Sequence, residues 1–423
     1  MKFAVVTFGC RVNQADSRAL EAALRGRGVS PGRADDADLV VVNTCSVTAS
    51  ADQAARQAIR RVHRLNPRAR VAVTGCYATR RPVELARLPG VLRVVPNARK
   101  EQAGALAAEL TTAATAGDGF GHGGGACGSR IEPGAAGRTT WTLSAQTGCA
   151  EACAYCVVPA TRGRPTSRPV DLVLGELEVA AAAGFKEVTL AGVHLGSWGR
   201  DLVPVLSLVD LLRAVARLDL PLRVRISSLE PMDCSHELID LVAGDPRFAP
   251  HFHLPLQHAS DRVLRAMRRP YTLAAYDRLV TGVRERLPHA AIGTDVIAGF
   301  PGETDDDFAW SAAYLARSPL TSLHVFPYSD RPGTVASAMT PKVPGRVVRT
   351  RAEALRAVGL ELARRFRLSQ AGQVRRALTL EDGAVALTDN YLKVRIPPGR
   401  ARNEWVELRL ENEAGALTGT VVV

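Results

Sequence analysis

Twice along this chain, short β-branched and apolar runs alternate with stretches of helical periodicity, which restricts the fold to parallel sheets covered by helices. In the first series "KFAVVTF" precedes "ADSRALEAALRGRG", "ADLVVVNT" precedes "SADQAARQAIRRVHRL", and "ARVAVTG" precedes "RRPVELARL", with "GVLRVVPN" as a fourth strand. The second series is longer: "TTWTLSAQ", "EVTLAGV", "LRVRISS", "HFHLPLQ", "AAIGTDVIAGF" and "SLHVFPYS" are separated by helical stretches such as "DLVLGELEVAAAAG" and "TLAAYDRLVTGVRERL". Six such strands fit a partial or complete (β/α) barrel better than a small doubly wound sheet. Between the series lies a Gly/Ala stretch without apolar periodicity, and after an Arg-rich helix the chain ends in short alternating segments that read as a small β-barrel. The expectation is an α/β protein in four parts: an open parallel-sheet α/β domain (1–105), a linker (106–137), a partial (β/α) barrel (138–365) and a small β-barrel (366–423).

The cysteines carry the chemistry. Eight in 423 residues are too sparse for a disulfide scaffold, and "CAEACAYC" crowds Cys149, Cys153 and Cys156 onto one βα loop. A structural zinc site wants four protein ligands, and no further His or Cys follows at zinc-ligand spacing. Three thiolates instead suit a [4Fe-4S] cube with one iron left open for a substrate or cofactor. Cys10, Cys45 and Cys76 each follow a strand of the first domain, in "TFGC", "VVNTC" and "VTGC". The ends of neighbouring parallel strands share one sheet edge, so these thiols can converge on a second, auxiliary cluster; they can also be three small buried residues. Cys127 and Cys234 have no partner at ligand spacing and read as structural.

The spacing C-x3-C-x2-C, with Tyr155 before its last cysteine, resembles that of the radical S-adenosylmethionine (SAM) enzymes. With the three-cysteine N-terminal domain and the terminal β module, which looks like a TRAM domain, the whole chain resembles the radical SAM methylthiotransferases. "GCRVNQADS", "AGVHLGSWGRDL" and "RISSLEPMD" look most like the branch acting on N6-threonylcarbamoyladenosine at position 37 of tRNA. "HLPLQHASDRVLRAMRRPYT" is close to the branch acting on an aspartate of ribosomal protein S12, whereas "CRVNQ" departs from the isopentenyladenosine branch. The resemblance implies two [4Fe-4S] clusters, one on each thiol set, and SAM both as methyl donor and as radical source. It implies a tRNA anticodon loop as partner and an electron donor such as flavodoxin or ferredoxin, with no membrane and no DNA. It also places Tyr155, Gly192, His194, Ser228, Glu230, Gln257, Ile297 and Gly299 around SAM, although each could be an ordinary strand-end or turn residue. A non-catalytic metal-containing RNA-binding protein is the alternative of another class.

Charge points the same way. With 54 Lys and Arg against 42 Asp and Glu, the chain carries a formal +12, suited to a polyanion. The candidate basic surfaces are the helix spanning Arg346 to Arg367 and the terminal module, with Arg375, Arg376, Lys393, Arg395, Arg400 and Arg402 beside the aromatic candidates Tyr391 and Trp405. Arg162 and Arg164, just past the cluster loop, could fix a carboxylate or phosphate or simply be solvated. His253 and His258 lack ligand spacing, and the acids of "ETDDDF" read as a helix cap. No run is long and apolar enough to span a bilayer and no signal peptide is evident, so a cytoplasmic location is expected.

Overall fold

The computed structural model describes residues 1–100, 102, 133, 139–413 and 416–422; the expected linker, residue 133 apart, and Cys127 lie outside the described residues. The N-terminal sheet is wholly parallel, with β1 (Lys2–Thr7), β2 (Ser30–Pro31), β3 (Leu39–Thr44), β4 (Arg70–Gly75) and β5 (Val91–Val95) in the order β2-β1-β3-β4-β5. Every residue of β3 is buried, as a central parallel strand covered on both faces requires. The helices Arg11–Arg25 and Ala49–Leu65 follow β1 and β3, and the turn after β4 holds the short helices Cys76–Arg80 and Pro82–Ala86, separated by Arg81 with Pro82 opening the second. Because the order reverses at β1, the carboxyl ends of β1 and β3 form the crevice where such sheets place ligands.

The central domain has β6 (Trp141–Thr147), the two-residue antiparallel β7 (Thr166–Ser167), β8 (Glu187–Gly192) and β9 (Arg223–Ile226) in one sheet, and β10 (His251–His253), β11 (Ala291–Ala298) and β12 (Ser322–Pro327) in another. Parallel bridges Val224 to Phe248 and Ser228 to His253 join the two, so six parallel strands curve as the partial barrel the sequence suggests. One large core, from Trp141 to Leu362, fills the space between this sheet and its helices. The Arg-rich helix Gly345–Ser369 buries Val348, Ala352, Leu355, Leu362 and Phe366 and packs on β12 and on the helix Asp305–Arg317. The "ETDDDF" acids are a cap: Thr304 and Asp307 form a capping box, while Glu303 accepts from the Gly299 and Phe300 amides and pairs with Arg351.

The strands β13 (Val374–Leu380), β14 (Val385–Thr388), β15 (Lys393–Arg395), β16 (Trp405–Glu413) and β17 (Ala416–Val422) close a small barrel, as the terminal segments led one to expect. Its attachment departs from the sequence reading. Trp405 lies between the guanidiniums of Arg223 and Arg376, and Tyr391 stacks on Arg225 and His251. Of the two aromatic candidates that sequence offered for RNA contact, Trp405 is thus engaged in docking the barrel, and Tyr391 shares in the joint while remaining 41% exposed. Buried Glu187 holds that joint together, accepting from Arg223 and Arg225 while those guanidiniums also donate to the carbonyls of Arg376, Leu387 and Asp389.

Candidate active site

The loop after β6 is shaped by Gly148, whose φ of +74° and close approach to the Arg164 carbonyl leave no room for a Cβ. Cys149 N–H donates to Gly163 O, Ala154 N–H to Met267 O, and Ala336 N–H to Ala154 O, so the loop is fastened on both sides. Its sulfurs receive polar donors: the Glu151 amide to Cys149 (3.4 Å), the Val158 amide to Cys156 (3.4 Å) and the Arg269 guanidinium to Cys153 (3.3 Å). Burial pushes the Cys156 thiol up to about 12, helped by charge on Cys153 and Cys149, so thiolates here need a cation among them.

Around this loop the predicted residues gather unevenly. His194, after β8, lies 3.8 Å from Cys149 through Nδ1 and is held at Nε2 by Asp233 at 2.6 Å. Glu230 pairs with the buried Arg269, which also donates to the Tyr271 hydroxyl at 2.9 Å, and half-buried Tyr155 feels the charges of Arg269 and Glu230. Ile297 packs with Ala154 and Tyr155. Gln257 adopts a φ of +69° and exchanges backbone hydrogen bonds with β11, and Ser228 bridges to His253. Gly192 ends β8 and Gly299 turns the chain at a φ of +79°; an added Cβ would press on Leu195 and on Val348. Arg269, Tyr271 and Asp233 carry no spacing signal, because they reach the site from loops far from the cysteines in sequence.

The N-terminal thiols meet at one sheet edge. In register, Thr7 pairs with Asn43 and Thr44 with Gly75, so Cys10, Cys45 and Cys76 leave three adjacent strands at the same end. Gly9 (φ +92°) and Gly75 (φ +100°) allow the approach: a Cβ on Gly9 would stand 2.5 Å from Cys45 Cβ, and one on Gly75 would overlap the Thr44 carbonyl. Burial raises the Cys45 thiol to about 11, and charge on Cys10 and Cys76 adds to this.

The two thiol sets are tied together. Arg162, 5% exposed, donates to Asn13 Oδ1 (2.5 Å), Asp16 Oδ2 (2.9 Å) and Thr147 Oγ1 (3.0 Å), joining the helix that opens after Cys10 to the one that follows Cys156. Asn97 Nδ2 bridges Cys76 Sγ (3.5 Å) and Thr161 O (2.9 Å), and the helices Cys76–Arg80 and Val158–Arg162 pack on each other. Arg331 adds a third tie, to Ser46 and Asp52. Arg162 therefore takes its carboxylate-fixing alternative. His258 is a neutral core histidine, pushed down to about 4 by burial, and Cys234 is buried in the large core of the central domain.

Comparison with known proteins decides the family. Residues 2–96 match the model described as "Uncharacterized protein family UPF0004", and residues 143–315 match the radical SAM superfamily. Over 411 residues the chain is 36% identical to the threonylcarbamoyladenosine tRNA methylthiotransferase MtaB of Aquifex aeolicus, covering 93% of this chain and 96% of that one. The chain belongs to the radical SAM methylthiotransferases. This methylthiotransferase is also 36% identical over 362 residues to the tRNA-2-methylthio-N(6)-dimethylallyladenosine synthase of Anaeromyxobacter dehalogenans, covering 81% of this chain and 74% of that one. In fold it resembles the radical SAM methyltransferase TsrM of Kitasatospora setae, with a TM-score of 0.56 at 20% identity over 79% of this chain and 76% of that one.

Membership brings a [4Fe-4S] cluster and SAM, and the cluster-loop thiols fit such a group. Thiolates on one zinc ion stand about 3.8 Å apart, given bonds of about 2.3 Å at tetrahedral angles. Among the described residues only His253, Asp295 and His324 bring three ligand atoms within 4.8 Å of one another, so neither thiol set is gathered for a single ion. A cube spreads its ligands wider.

Proposed function

We propose that this methylthiotransferase converts N6-threonylcarbamoyladenosine at position 37 of tRNA to its 2-methylthio derivative in the cytoplasm. The match to the MtaB relative from end to end carries this reading, since it spans the N-terminal thiol domain, the barrel and the terminal module together. In it, Cys149, Cys153 and Cys156 hold one [4Fe-4S] cluster and Cys10, Cys45 and Cys76 a second. When bound, these groups supply one-electron cleavage of SAM and a sulfur-carrying iron. Tyr155, Gly192, His194, Ser228, Glu230, Gln257, Ile297 and Gly299 line the SAM side of the barrel mouth, with Asp233 fixing the His194 ring and Arg269 fixing Glu230. Arg162 keeps the two loops facing one another. Flavodoxin or ferredoxin is the proposed electron donor, and the anticodon loop the part of the tRNA engaged.

The dimethylallyladenosine synthases among the relatives favour a second reading, with a hydrocarbon substituent on the same adenine. Mass spectrometry of tRNA nucleosides from cells with and without the gene separates the two. Loss of 2-methylthio-N6-threonylcarbamoyladenosine, with the unthiolated nucleoside accumulating, is expected. Loss of the dimethylallyl product instead supports the second reading; an unchanged profile would sink both and turn attention to ribosomal protein S12.

A further inference from the structure

Three adjacent strands carry a polar group that neither thiol set uses. Asp295 pairs in register with His324 across β11 and β12, and His253 lies on β10 beside β11. Asp295 Oδ1 stands 3.0 Å from His253 Nε2 and 3.3 Å from His324 Nδ1. Two residues further along, Ile297 pairs with Phe326, and Ile297 packs on the cluster loop. Alternate residues of a strand share a face and rise about 6.6 Å per pair, so the group lies one pleat below the cluster loop on the barrel's inner face.

This floor is polar and cationic. The His324 side chain is 62% exposed and turns Nδ1 toward Asp295. Its hydrogen bond to Asp295 raises its pKa, although burial and the charge of Arg11 work against this. Arg11 reaches over from the N-terminal domain, donating to Thr189 Oγ1 (3.1 Å) and to the Tyr391 hydroxyl (2.7 Å). Its positive charge disfavours a divalent cation on the same three ligand atoms. Phe326, 38% exposed, stands one step nearer the cluster loop as an apolar surface for a base.

We propose that Arg11 and His324, the latter oriented by Asp295 and His253, form a subsite for the carboxylate of the amino-acid substituent on the target adenine. This rests on the threonylcarbamoyladenosine reading and deepens it, because a hydrocarbon substituent has no use for an imidazole donor and a guanidinium. The test compares reconstituted holoenzymes on two anticodon stem-loops, one carrying N6-threonylcarbamoyladenosine and one its neutral threonyl methyl ester. The wild type is expected to prefer the acid in kcat/KM by roughly 10- to 100-fold, the span for a hydrogen bond to a charged group. His324→Ala and His324→Gln should each cut that preference several-fold, the remainder resting on Arg11; the ratio within one variant cancels any general loss of activity. A preference undiminished in both variants, or none in the wild type, overturns the subsite. Bound zinc that disappears with the same substitutions assigns the group to a cation and overturns it too. A wild type that converts only a dimethylallyl stem-loop overturns the subsite together with the reading beneath it.

Discussion

Arg162 shows how much a single side chain does here, since its one guanidinium joins Asn13 and Asp16 behind Cys10 to Thr147 ahead of Cys149. A lysine keeps the charge but cannot make that fork. Arg162→Lys is therefore expected to cleave SAM while forming several-fold less methylthio product per 5'-deoxyadenosine, a ratio read by mass spectrometry. Gly148 sets the loop itself, and because its Cβ would overlap the Arg164 carbonyl, Gly148→Ala should lose the iron of the cluster loop while keeping that of the N-terminal set. Iron per chain, measured after anaerobic reconstitution, checks this. At this scale the six cysteines were legible, three by tight spacing and three by their place after strands. Arg269, Asp233 and Tyr271 were not, because only the tertiary fold brings them to the thiols. Nor was the grouping of His253, Asp295 and His324, whose register across three strands has no trace in linear spacing.

At the scale of elements the strands were the readable part, since buried parallel strands such as "LVVVNT" carry apolar runs without polar alternation, here Leu39 to Val42. Two-residue pairings like β2 and β7 leave no periodicity to read. The helix expected over "RRPVELARL" begins instead at Cys76 and divides around Arg81 ahead of Pro82. The terminal barrel's joint shows how an exposed-looking charge pattern can be internal. "EVTLAG" opens with Glu187 and "RVRI" carries Arg223 and Arg225, yet all three charged groups are buried against one another. Burial works against the Glu187 charge, but Arg225 and Arg223 outweigh it and hold its pKa down to about 2 from an ordinary 4.5. The folded value being the lower one, this stabilisation is complete above about pH 4.5 and is lost as pH falls toward 2. Desolvation, which lowers the Arg223 pKa despite Glu187, offsets part of it. Glu187→Gln leaves two buried guanidiniums without their anion and should destabilise the fold by about 3–5 kcal/mol at neutral pH. In urea titrations the gap between variant and wild type should close by pH 2; a gap independent of pH would contradict the ion-pair account.

Across the whole molecule, the basic excess has two destinations. Part of it is internal, in Arg223, Arg225, Arg269 and Arg351, each paired with a buried or half-buried acid. The remainder includes exposed Lys393 and Arg395 on the terminal barrel, which sequence had grouped with the stacking aromatics. With Trp405 engaged at the joint and Tyr391 partly so, RNA contact there should run mainly through phosphates. Reversing both charges is expected to weaken tRNA binding and to flatten its salt dependence by about 0.7–0.9 per lost phosphate contact. Binding measured across a salt series tests this, and an unchanged slope would remove the terminal barrel from the RNA path. The central claim remains that two separate sets of three thiols each hold a [4Fe-4S] cluster, facing one another across Arg162. Iron and Mössbauer analysis of the reconstituted chain tests it most directly. The account predicts about eight irons per chain, falling to about four when Cys10, Cys45 and Cys76 are replaced by alanine and to about four when Cys149, Cys153 and Cys156 are. Four irons in the unaltered chain, unchanged by loss of the N-terminal set, would contradict it.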